Sequence, residues 1–150
     1  MLPRMSEIPE QAFAELAAVY ARMDEAFAPL ARRCVQCSDC CDFAVIGHML
    51  YVTGLEAAWM AQAGEEPVAA QSLDGKCPFQ RVNLCSIREH RALGCRAFFC
   101  DRTYQEERNA IYERFLKQVR AIETLYHLEH TYQPITQLSF QDILHHEPIA

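Results

Sequence analysis

Along the first thirty residues, Phe13, Leu16, Tyr20, Met23, Phe27 and Leu30 recur at alternating spacings of three and four. Glu15, Arg22, Asp24 and Glu25 fall between them. A 3.6-residue period of this kind predicts an amphipathic helix over residues 8–31, with Ser6 as N-cap and Pro9 in the first turn. Pro29, followed by Arg32 and Arg33, marks its end. The same stripe also satisfies heptad a and d positions, but over too few heptads for a coiled coil, so it reads as core packing. The period returns near the other end of the chain. Ile111, Phe115, Val119, Ile122 and Tyr126 form one face, and Glu106, Glu107, Glu113 and Lys117 the other, predicting a second long helix over residues 102–132 that Pro134 closes.

Between the helices the pattern changes. Residues 42–52 are apolar and partly β-branched, which predicts an extended segment or short strand. Thr53-Gly-Leu-Glu56 is a capping box, with Thr53 as N-cap and Glu56 at N3, opening a helix that runs to about Ala63 and stops at Gly64. Residues 64–76 read as a loop on Gly64, Pro67, Asp74 and Gly75. From Cys77 to Cys100 no period survives, as when ligation rather than a core face holds a segment. Ser139 and Asp142 can cap a last short helix through His146.

The predicted fold is therefore mainly α. It is a small single domain over residues 1–150, in which two long amphipathic helices bracket a cysteine-rich metal-binding centre with little or no β structure. A length of 150 residues and 51% hydrophobic content suit one core rather than two. The two stripes pack most simply on one another, and they are also the surfaces by which a homodimer or a protein partner would dock. A formal net charge of −6 argues against a nucleic-acid surface built on phosphate neutralisation. The N-terminal MLPRMSEIPEQ carries no signal-like apolar run and no stretch predicts a membrane span, so the expected compartment is the reducing cytoplasm. There, eight cysteines are expected to be metal ligands or redox groups rather than a disulfide framework.

Their spacing supports that expectation. The chain reads Cys34-x2-Cys37-x2-Cys40-Cys41, then Cys77-x7-Cys85-x9-Cys95-x4-Cys100. Neighbouring Cα atoms lie about 3.8 Å apart, short of ordinary disulfide geometry, so Cys40 and Cys41 do not pair without strain. In an extended segment their side chains point oppositely and can serve different ions. A CxxC turn directs two thiolates at one metal, and four sulfurs close a tetrahedral zinc site. All eight cysteines are thus candidate metal ligands, for zinc or iron. Thiolates need compensating charge, and Arg32, Arg33, Lys76, Arg81, Arg88, Arg91, Arg96 and Arg102 all lie in the same stretch. An iron–sulfur cluster is the alternative, since C-x2-C-x2-C offers three cubane corners and Cys77-Pro78 is similar to the remote ferredoxin cysteine; Ala44 stands where the next ferredoxin cysteine would follow.

The run CVQCSDCC, the capped helix TGLEAAWM and the segment GKCPFQRVNLCSIREHRALGCRAFFC together resemble the YkgJ-type cysteine-cluster family, a CxxCxxCC zinc- or iron-chelating domain, over residues 34–101. The resemblance implies chelation by Cys34, Cys37, Cys40, Cys41, Cys77, Cys85 and Cys95, with Cys100 at a looser final position. Arg88 and Ala92 depart from the family's usual Tyr and Pro. The family includes the cysteine-rich part of flagellin lysine N-methylases, so a link to protein-lysine N-methylation is implied for relatives. Lesser ligand candidates are His48, the pair His127 and His130 on one predicted helix face, and the pair His145 and His146. Glu56 and Asp39 could carry protons beside thiols, although capping and turn roles already account for them. No Gly-rich phosphate loop or nucleophile elbow is present, and no reaction is assigned from the sequence.

Overall fold

A computed structural model describes residues 2–30, 49–64, 67, 75–81, 84–97, 104–140 and 143. Among these, four α-helices dominate: α1 (Glu10–Phe27), α2 (Gly54–Ala61), α3 (Leu93–Ala97) and α4 (Gln105–Leu125). Two minimal antiparallel sheets accompany them. β1 (Tyr51–Thr53) pairs with β4 (Tyr132–Pro134), Val52 opposite Gln133, and β2 (Gln80–Arg81) pairs with β3 (Leu84–Cys85). The domain is mainly α.

α1 buries Ala12, Phe13, Leu16, Val19, Tyr20, Met23 and Phe27, while Arg22, Asp24 and Glu25 face solvent. α4 buries Phe115, Val119 and Ile122 and leaves Glu106, Glu107, Glu113 and Lys117 exposed. The two helices pack on each other, and an Arg22 Nη2 to Gln118 Oε1 hydrogen bond of 2.8 Å closes the seam at the surface. The apolar stripes are thereby used within the chain.

Both long helices are shorter than their patterns suggest, for separate reasons. α1 begins after Pro9, which takes the N-cap position; Ser6 instead lies exposed in a 3₁₀ turn (Met5–Glu7). It ends at Phe27 because Pro29 has no N–H to give the Glu25 carbonyl, and Leu30 N–H closes a tighter turn onto Phe27 O at 2.9 Å. α4 stops at Leu125, seven residues before the predicted end. His127 adopts a left-handed φ of 58°, its N–H bonds Thr124 O at 3.2 Å and Leu128 N–H bonds Glu123 O at 2.8 Å. That pair of bonds is a Schellman cap closed without glycine, and it turns the chain back toward β1. At the other end Tyr104, also left-handed at φ 62°, precedes the first turn.

α2 agrees closely with expectation. Glu56 N–H donates to Thr53 Oγ1 at 3.2 Å and Thr53 N–H to Glu56 Oε1 at 3.3 Å, the reciprocal bonds of a capping box. Gly64, at φ +73°, follows the helix end. The predicted segment forms a strand at Tyr51–Thr53; Met49 and Leu50 before it are not part of that strand, and residues 42–48 lie outside the described residues. The predicted loop and last short helix also fall largely outside, although Phe140 and Ile143 are both buried.

The core runs from the α1–α4 seam through α2 to the cysteine-bearing segment, where Phe79 meets Phe140 edge-on at 4.8 Å. Leu16 is fully buried at the seam. Leu16→Ala should lower unfolding free energy by about 2–5 kcal/mol, whereas Glu113→Ala should change it by less than about 0.5 kcal/mol. Urea denaturation of both variants checks this, and equal effects would sink the assignment of the buried face.

Candidate metal centre

Three of the eight sequence-predicted ligands, Cys77, Cys85 and Cys95, lie among the described residues, and none of the three is in a disulfide. Cys34, Cys37, Cys40, Cys41 and Cys100 lie outside them, as do His48, His145, His146 and Asp39. Cys77 is buried at the entry to the β2–β3 hairpin, its carbonyl accepting from Gln80 N–H at 3.1 Å. Cys85 is half-buried on β3 opposite Gln80. The hairpin is clamped by Ser86, whose N–H and hydroxyl both donate to Phe79 O, at 2.9 and 2.6 Å.

Cys95 sits half-buried on α3. That helix has five residues, too few to persist alone, so neighbours must hold it. Its first N–H, from Leu93, donates to Glu56 Oε2 at 2.5 Å. Glu56 is buried, and the same carboxyl accepts from Tyr20 Oη at 2.9 Å and from Thr53 Oγ1 at 3.2 Å. Burial pushes the Glu56 carboxyl above the ordinary range, and the Leu93, Thr53 and Tyr20 donors pull against that. Burial, with Glu56 alongside, also raises the Tyr20 hydroxyl, which therefore stays a neutral donor. Cys95 is near enough to add to that rise.

Three of the arginines in this segment are held by hydrogen bonds to the backbone. Arg81 Nη1 donates to Pro78 O at 2.9 Å and to Gln80 O at 3.1 Å, and Arg91 Nε to Arg88 O at 3.0 Å. Arg96 pairs with Asp24 at 2.8 Å, bonds Arg91 O at 3.0 Å, and lies over the Tyr20 ring at 4.4 Å. These bonds brace the backbone and α1.

Among the described residues no group of three His, Cys, Asp or Glu side chains is gathered so as to hold an ion. Cys77, Cys85 and Cys95 therefore need ligands from outside the described residues to close a centre. None of them is tied up in a disulfide, and cysteine sulfur is the donor type that zinc and iron sites use. His127 and His130 do not share a helix face, because the helix has already ended; His130 Nε2 instead lies 3.0 Å from Thr124 Oγ1. A shallow groove of about 540 Å³, lined by Met5, Ile8, Phe13, Gln62 and His90 among others, contains no described cysteine.

Two features escaped the sequence reading. His90 packs against Trp59 with centroids 4.8 Å apart and rings tilted by 38°, and burial lowers its pKa. Glu123 is buried on α4 with Arg120 Nη1 4.0 Å away. Burial pushes the Glu123 carboxyl, whose two oxygens accept no hydrogen bond among the described residues, up to about 7; Arg120 pulls back and Glu56 adds to the rise. The available signal was its position four residues after Val119, a carboxylate on the apolar face.

A carboxyl that is harder to ionise in the folded chain than in the unfolded one favours folding while protonated. Its contribution is complete below the unfolded pKa near 4.5 and is lost as pH rises through about 7. Glu123→Gln should flatten the fall in stability between those values and be more stable than the parent at pH 8, on the order of 1–2 kcal/mol after screening is allowed for. Denaturation midpoints of both proteins at pH 5 and pH 8 check it; parallel pH profiles would overturn the assignment.

No family model matches the chain, and no curated protein or solved structure matches it, so the cysteine-cluster resemblance rests on its motifs alone.

Proposed function

We propose that the chain is a metal-chelating module that holds one or two zinc or iron ions through thiolates drawn from Cys34, Cys37, Cys40 and Cys41 together with Cys77, Cys85, Cys95 and Cys100. The observation that carries this reading is that none of Cys77, Cys85 and Cys95 forms a disulfide, in a chain whose CxxCxxCC run supplies four more cysteines. The reading fits a reducing, cytoplasmic setting. It also fits the small secondary structure around the three thiols, because metal binding to such segments supplies folding free energy.

An iron–sulfur cluster is the second reading, favoured by the C-x2-C-x2-C spacing and by Cys77-Pro78. In that case the chain would be a redox protein or part of an enzyme, related in its cysteine pattern to protein-lysine N-methylation systems. Since the α1 and α4 stripes are spent on each other, a protein partner or second copy would need another surface. No described helix is long and apolar enough to cross a membrane.

Elemental analysis, acid-labile sulfide and a visible spectrum on protein purified without oxygen test both readings. About one or two zinc ions per chain, colourless and free of sulfide, support the chelating module. Iron with matching sulfide and a brown chromophore supports the cluster. Cys37→Ser and Cys95→Ser should each reduce metal content and lower the melting temperature; full stoichiometry with unchanged melting in both would overturn ligation.

A further inference from the structure

We propose that Glu56 is a positioning residue for the Cys95 thiol, acting through the first N–H of α3; this rests on the chelating reading above. Cys95 is two residues from Leu93, whose N–H is held by Glu56 Oε2 at 2.5 Å. In a five-residue helix, fixing the first N–H fixes the axis on which the cysteine side chain is carried. The other restraints act on the same unit. Ala92 and Leu93 are fully buried, and Gly94 lies so close against Leu50 that a Cβ there would collide with its Cδ1. Arg96 ties the far end to α1 through Asp24, but Asp24 is half-exposed and such a pair is weak. Glu56 provides the buried polar anchor and binds its donors from three elements: Tyr20 on α1, Thr53 on β1 and Leu93 on α3. The Thr53–Glu56 capping box thus does more than start α2. Its carboxylate sets where a thiol 39 residues further along the chain is presented.

The reach of the side chain is the testable element. Glu56→Asp keeps the charge and the N3 position but withdraws the carboxylate by one methylene, out of bonding distance of Leu93 N–H. In the metal-free full chain, amide exchange across residues 93–97 should accelerate at least about tenfold, and by more than in α1 or α4. In zinc-loaded protein, transfer of zinc to a chromophoric chelator should quicken by about tenfold. Unaltered exchange at α3, or a loosened α3 with zinc transfer unchanged, overturns the proposal; a merely structural Glu56 would lower the melting temperature without moving zinc transfer. Should Glu56→Asp fail to fold, Glu56→Gln retains reach and shape while losing one accepting oxygen, and the same two measurements apply with a smaller shift. A parent chain that takes up neither zinc nor iron overturns the chelating reading, and this proposal with it. That outcome is separate, because it is read on the parent before any variant is made.

Discussion

The Glu56 carboxylate is the interaction around which the rest of the structure is arranged. A carboxylate taken out of water costs several kcal/mol unless donors replace the lost hydration. Here the replacements come from Tyr20 Oη, Leu93 N–H, Thr53 N–H and Thr53 Oγ1. They belong to separate pieces of chain that meet only when the fold is correct. The apolar seam between α1 and α4 carries much of the driving force, but side chains of similar size can slide past each other at modest cost. A buried carboxylate with three directional partners cannot slide. The hydrophobic stripes bring the helices together, and Glu56 sets their register against β1 and α3.

This division matters for the cysteine segment. The β2–β3 hairpin has two residues per strand and α3 five residues, so neither is stable in isolation. Each borrows order from the core: the hairpin through Phe79 against Phe140 and the Ser86 clamp, α3 through Glu56, Leu50 and Arg96. The described thiols are thus attached to short elements with strong outside supports. Such an arrangement places donor atoms without a large private core, which suits a site where bound metal adds the remaining order.

How much of this was legible depends on the distance over which each signal acts. The two helical stripes and the Thr53–Glu56 box are local patterns, and both appear in the structure as read. The helix ends were less legible. Pro29 halts α1 before its own position because the missing N–H is felt four residues upstream, and α4 ends on a left-handed His127 where no glycine announced the cap. The second role of Glu56 was hidden for a different reason: its partners are 36 and 37 residues away, and only a charge set in the apolar run TGLEAAWM hinted at it. Glu123 was missed likewise, since one carboxylate within a stripe reads as tolerable until its burial is seen. Of the candidate ligands, Cys77, Cys85 and Cys95 are located, while the CxxCxxCC run and Cys100 lie outside the described residues.

The arginines bear on what kind of centre these thiols could form. A four-thiolate zinc site carries an excess of negative charge, and direct N–H to sulfur bonds are one way to offset it. Arg81 and Arg91 both donate to backbone carbonyls, which are neutral acceptors. A guanidinium held this way keeps its full positive charge and acts on its surroundings through space. Arg96 differs, because Asp24 lies 2.8 Å away and cancels much of its field, leaving its main role to the Tyr20 ring and to bracing α3. For a centre drawing on Cys77, Cys85 and Cys95, a guanidinium anchored on backbone carbonyls would stabilise thiolates through space without having to move, because the scaffold fixes its position whether or not an ion is bound.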